Sequence, residues 1–147
     1  MALVDQISAD IKSAMLAREK EKLETLRAIK SALLLLQTSG EAVTPETEIK
    51  TLQKLQRQRT EAATIYTSQN RQDLADKELY ESTVIAKYLP RQLSEEEITE
   101  VISSIVSKID GVTIKDMGKV MAEATKQLAG RADGKTVSTL VKQLLTA

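Results

Sequence analysis

Cysteine, histidine, tryptophan and phenylalanine are all absent from this 147-residue sequence, and its only aromatic side chains are Tyr66, Tyr80 and Tyr88. Without cysteine there is no disulfide framework, zinc–thiolate site, iron–sulfur cluster or thiol nucleophile. Without histidine the commonest general base near neutral pH and the commonest imidazole metal ligand are missing. A Ser-His-Asp triad and a cysteine-dependent glutaminase site are both excluded. The scarcity of aromatics argues against a sequence-specific single-strand reader, which stacks bases on aromatic platforms. No cofactor or metal is expected.

Excess charge and long apolar runs are missing too. Lysine plus arginine and aspartate plus glutamate number 21 each, for a formal net charge of +0. A wholly basic nucleic-acid module shows its charge in bulk, so any RNA contact here needs a local patch. The longest aliphatic stretch, Ala32 to Leu36, is far too short to span a bilayer. The start, Met1-Ala2-Leu3-Val4-Asp5, lacks the basic region and apolar run of a targeting segment. The expectation is a cytoplasmic protein with no membrane contact.

What is present is helical. Aliphatic residues recur at three- and four-residue spacing, among good helix formers, and no two-residue alternation survives. The pattern predicts an all-α chain with about four helices over residues 1–90 and a compact three-helix unit over 91–147. A first stripe (Leu3, Ile7, Ile11, Ala14) ends at Leu16, and a second (Leu23, Leu26, Leu33, Leu36) is out of phase with it. The charged run Arg18–Lys22 lies between them, which suggests two antiparallel helices; one long helix is the alternative, since no Gly or Pro marks a break. Gly40 ends the second helix. Thr44-Pro45-Glu46 opens a third, directing Ile49, Leu52, Leu55, Ile65 and Tyr66 inward. A fourth runs from about Gln72 to Leu89, with Leu74, Leu79, Val84 and Ile85 inward.

Ser94-Glu95-Glu96-Glu97 is a capping box, with Leu93 and Ile98 as its hydrophobic staple. Thr113 with Asp116 repeats the signal before a sixth helix that ends near Ala129. Gly130 and Asp133 serve as the stop and the cap of a short turn, and Gly134 lies at the start of the seventh helix. Gly118 falls inside a helix, at a cost of about 1 kcal/mol relative to alanine. With Ala122 it forms a small-residue face, read first as a place for close helix packing and second as one for an RNA backbone.

Lys115-Asp116-Met117-Gly118-Lys119-Val120-Met121 followed by Gly130-Arg131-Ala132-Asp133-Gly134 resembles the YqeY-like family. The likeness extends through Tyr88-Leu89-Pro90-Arg91-Gln92-Leu93 and the first capping box to Lys12-Ser13-Ala14-Met15, Leu26 and Arg27. That family is related to the C-terminal tail of the GatB subunit of tRNA-dependent amidotransferase. The resemblance implies a non-catalytic module that binds tRNA or associates with amidotransferase subunits. Its family label is a carbon-nitrogen ligase using glutamine as amido donor. Ala122 departs from the family's frequent second glycine.

Residues 108–142 hold seven cations against four acids, so the expected RNA-binding residues are Lys115, Lys119, Arg131 and Lys135. Lys126 extends the ridge, and a lysine face of this kind gives a salt-dependent, sequence-independent affinity. A competing reading is a protein-interaction or self-association module, because Leu33-Leu34-Leu35-Leu36 covers every side of a helix and leaves part of it outward.

Overall fold

A computed structural model describes residues 2–146. Among them are seven α-helices and one 3-10 turn, with no strand, so the fold is all-α. The helices are α1 (Leu3–Leu16), α2 (Lys20–Thr38), α3 (Pro45–Ser68), α4 (Gln72–Ala86), α5 (Glu95–Ser107), α6 (Met117–Leu128) and α7 (Gly134–Thr146). The chain forms two compact units, Met1–Pro90 and Arg91–Ala147.

The break between α1 and α2 is settled by hydrogen bonds rather than by a special residue. The Glu19 N–H donates to the Ala14 carbonyl and the Arg18 N–H to the Met15 carbonyl, the paired bonds of a Schellman ending. Arg18 takes the left-handed conformation that glycine normally fills, at φ 57°. Asn70 does the same between α3 and α4, at φ 58°. At the start of α3 the Thr47 N–H donates to Thr44 Oγ1, and the Thr44 N–H donates back to Thr47 Oγ1. Thr44 therefore makes a reciprocal cap ahead of Pro45.

In the first unit α1 pairs with α2 and α3 with α4, while α2 packs on both α3 and α4. Ile7, Leu26, Ile29, Leu52 and Ile85 are fully buried at the centre. Tyr80 and Tyr88 close its edge, and the Tyr88 hydroxyl donates to Asp10 at 2.5 Å. Burial and that carboxylate push the hydroxyl's pKa up. The α3–α4 pair is also clamped by charge: Arg59 Nε sits 2.8 Å from Glu81 and 3.8 Å from Glu78. Burial, with Glu81 alongside, raises the Glu78 carboxyl above its ordinary value.

Two inward assignments in this unit are corrected. Ile65 and Leu79 are exposed, because the tight α3–α4 seam is filled by the small residues Ala63 and Ala75. The fourth helix also stops at Ala86 rather than Leu89. Residues 87–89 continue in three-residue turns, with Tyr88 N–H on Ile85 and Leu89 N–H on Ala86. The leucine run divides as helical geometry requires: Leu33 and Leu36 are buried, Leu34 is 44% exposed and Leu35 72%.

The second unit is an aliphatic three-helix core of Ile98, Ile102, Ile105, Val120, Ala124, Leu128, Val137 and Val141. The capping box at α5 is complete: the Glu97 N–H donates to Ser94 Oγ and the Ser94 N–H to Glu97 Oε1. The second cap works differently from expectation. Thr113 opens a 3-10 turn, Ile114–Asp116, and α6 begins only after it. Asp116 still accepts from the Thr113 N–H, at 2.8 Å. Gly130 serves as the third residue of a type II turn. Ala129 before it has φ −50° and ψ 124°, Gly130 has φ 78°, and the Arg131 N–H donates to Leu128.

Candidate nucleic-acid interface

Gly118 is the second residue of α6 and is exposed. A methyl group built there meets nothing within 4 Å. The close-packing reading of Gly118 is thereby overturned, since no neighbouring helix uses the space. Lys115 and Lys119 lie on either side of it, both exposed, and neither forms an ion pair among the described residues.

Lys119 and Lys126, seven residues apart on α6, share a helical face. Glu123 lies between them and accepts from Gln127 Nε2 at 3.0 Å. Arg131 folds back over the end of α6, where Nη2 donates to the Gln127 carbonyl at 2.7 Å. A cation at that end complements the helix dipole, so one arm of the guanidinium has a structural task. Asp133 holds the position before α7. Its carbonyl accepts the Val137 N–H at 3.0 Å, and its carboxylate accepts the Thr136 hydroxyl at 3.5 Å. Gly134 and Lys135 form the exposed first turn of α7, and nothing lies within 4 Å of a methyl built on Gly134.

These residues do not make the single ridge suggested by their spacing. The Leu93 N–H donates to the Arg131 carbonyl and Gln92 Nε2 to the Gly130 carbonyl, each at 2.8 Å. Both bonds pin the entry of α5 against the α6–α7 turn. Arg131 and Lys135 therefore share their end of the unit with the acidic first turn Glu95, Glu96 and Glu97. Lys115 and Lys119 lie at the other end of the 12-residue α6, about 18 Å away at ~1.5 Å per residue. One acid of that first turn is engaged: Arg91 pairs with Glu97 at 3.0 Å. The guanidinium and the Ser94 amide lower the Glu97 carboxyl to about 2. The bracing by Gln92 and Leu93 joins residues far apart in sequence, and no local pattern announces it. The Arg131–Gln127 bond, by contrast, has the four-residue spacing of a helix-end contact.

Fold and surface together define a class: a two-unit helical protein whose smaller unit has an aliphatic core and an exposed lysine end. The chain belongs to the YqeY family, whose model, described as Yqey-like protein, matches residues 4–145. Three curated relatives are each named "Altered inheritance of mitochondria protein 41, mitochondrial". That of Clavispora lusitaniae is 34% identical over 110 residues, covering 74% of this chain and 65% of the relative. That of Meyerozyma guilliermondii is 32% identical over 88 residues, covering 60% and 47%. That of Pyrenophora tritici-repentis is 27% identical and covers 99% and 82%. This chain thus spans less than two-thirds of the first two relatives' own length. The mitochondrial naming of all three overturns the expectation of a cytoplasmic protein. A start without a recognisable targeting pattern was the basis of that expectation, and it carries no weight against the relatives.

Proposed function

We propose that this chain is a non-catalytic module that holds tRNA by its phosphate backbone through exposed cations of the second unit, in association with amidotransferase-type subunits. The supporting observation is the pair Lys115 and Lys119, exposed and without ion-pair partners beside an uncovered Gly118. Arg131 and Lys135 are secondary contacts, because the acids of α5 lie at their end. With no histidine or cysteine, and with carboxylates such as Glu97 used for capping, binding suits these side chains better than bond-breaking. A filter-binding titration of the full chain with tRNA at two salt concentrations tests the reading. Binding that weakens steeply with salt supports it; no complex at low salt removes it.

A second reading, a surface for a protein partner, has its own support. Leu34 and Leu35, side by side on α2, are 44% and 72% exposed, and contiguous apolar surface left in water is what a partner surface covers. A monomer mass by light scattering, with no amidotransferase subunit retained on the immobilised chain, would dismiss it.

A further inference from the structure

The topology gathers more lysines than the two named above. α5 ends at Ser107 with Lys108 as its last, non-helical cap. A short connection then leads to the 3-10 turn carrying Lys115, and α6 begins directly with Lys119 in its first turn. The five-residue link from α6 to α7 reverses the chain. α7 packs along α6 and reaches back to the 3-10 turn. Lys142, eight residues into α7 from Gly134, is about 12 Å along that helix. This puts it level with the first turn of α6.

Lys108, Lys115, Lys119 and Lys142 are all exposed, and none of them has an ion-pair partner among the described residues. They come from the cap that ends α5, the 3-10 turn, α6 and α7, so their grouping is invisible along the chain. The acids nearest this end are Asp110 and Asp116, with Glu123 one turn after Lys119 on α6. Asp116 is occupied by the Thr113 amide. The opposite end carries Glu95, Glu96 and Glu97 against Arg91, Arg131 and Lys135. The unit has 8 cations and 8 acids, but at the end carrying Lys108, Lys115, Lys119 and Lys142 the cations outnumber the acids nearby.

We infer that the anion-contacting surface is this lysine end, that Lys108 and Lys142 belong to it, and that it takes a sugar–phosphate backbone without reading bases. The inference rests on the proposed tRNA reading and narrows it. Residues 91–147 contain no aromatic side chain, so this unit has nothing on which to stack a base. A lysine ammonium is a compact point charge on a flexible stem, without the rigid planar fork of arginine. Clustered point charges without an aromatic platform suit the phosphates of a backbone.

The test uses the full chain and an unmodified tRNA transcript, with Lys108→Ala/Lys142→Ala, Lys108→Arg/Lys142→Arg and Arg131→Ala/Lys135→Ala measured beside the wild type. The account expects the first variant to bind at least about fivefold more weakly at low salt. The slope of log affinity against log salt should become shallower by roughly two. The arginine variant should retain binding, and the Arg131/Lys135 variant should lose less than the alanine pair at Lys108/Lys142. If tRNA binds and Lys108→Ala/Lys142→Ala leaves both affinity and slope unchanged, the lysine end is wrong while tRNA binding stands. If the wild type binds no tRNA, the underlying reading fails with it.

Discussion

The α3–α4 pair and the second unit place similar side chains in opposite surroundings. Along α3 three of the four cations are paired: Lys50 with Glu46 and Arg57 with Glu61 one turn apart, and Arg59 across to Glu78 and Glu81, while Lys54 stays exposed. In the second unit Lys108, Lys115, Lys119 and Lys142 face water while a purely aliphatic core holds the helices. A cation that joins two helices is part of the architecture. One left unpaired beside other cations costs self-repulsion, which a bound anion would relieve.

The largest expected effect separates the cores. Ile102→Ala removes a fully buried side chain and should cost the second unit about 2–5 kcal/mol. Amide exchange would speed across α5–α7 and stay slow across α3–α4; equal acceleration in both would mean that the two units unfold as one.

Next comes the charge clamp. Arg59→Ala leaves Glu78 and Glu81 facing each other, and roughly 1–3 kcal/mol of stability should go with it. The pH dependence has a definite sign. Because Glu78 is raised in the folded state, its protonation favours folding, and stability falls as pH rises from about 4.5 through the raised value. Glu78→Gln should flatten that part of the stability profile, and an unchanged profile would show that the carboxyl is not perturbed.

Ser94→Ala deletes the cap of α5 and should cost about 1 kcal/mol, read as a lowered urea midpoint. The smallest effect lies at Glu97. Held down to about 2 by Arg91 and the Ser94 amide, it contributes stability that is present above its ordinary value of 4.5 and lost as pH falls toward 2. Arg91→Ala should return its titration, followed by carboxyl chemical shift, most of the way to the ordinary range.

Much of the architecture was legible because helix ends carry chemistry. Ser94 with Glu97 and Thr44 with Pro45 announce their helices locally. The α1–α2 break was ambiguous because Arg18 occupies a conformation for which sequence favours glycine. Ile65 and Leu79 were misplaced because helical spacing marks a face without saying whether a partner covers it. The same limit applies to the site. Spacing put Lys115, Lys119 and Lys126 on one helix, but which end of the bundle meets Arg131 depends on the Gln92 and Leu93 bonds to residues 130 and 131. Gly118 was assigned a packing partner that tertiary structure does not supply.

The account stands on the idea that the second unit works by charge alone. Its most direct check is the tRNA affinity of the full chain and of Lys115→Ala/Lys119→Ala across a salt series, with circular dichroism confirming that both are folded. The account predicts a complex for the wild type that weakens steeply with salt, and a variant at least about fivefold weaker at low salt with a slope shallower by roughly two. Equal affinities and equal slopes for the two proteins would contradict it.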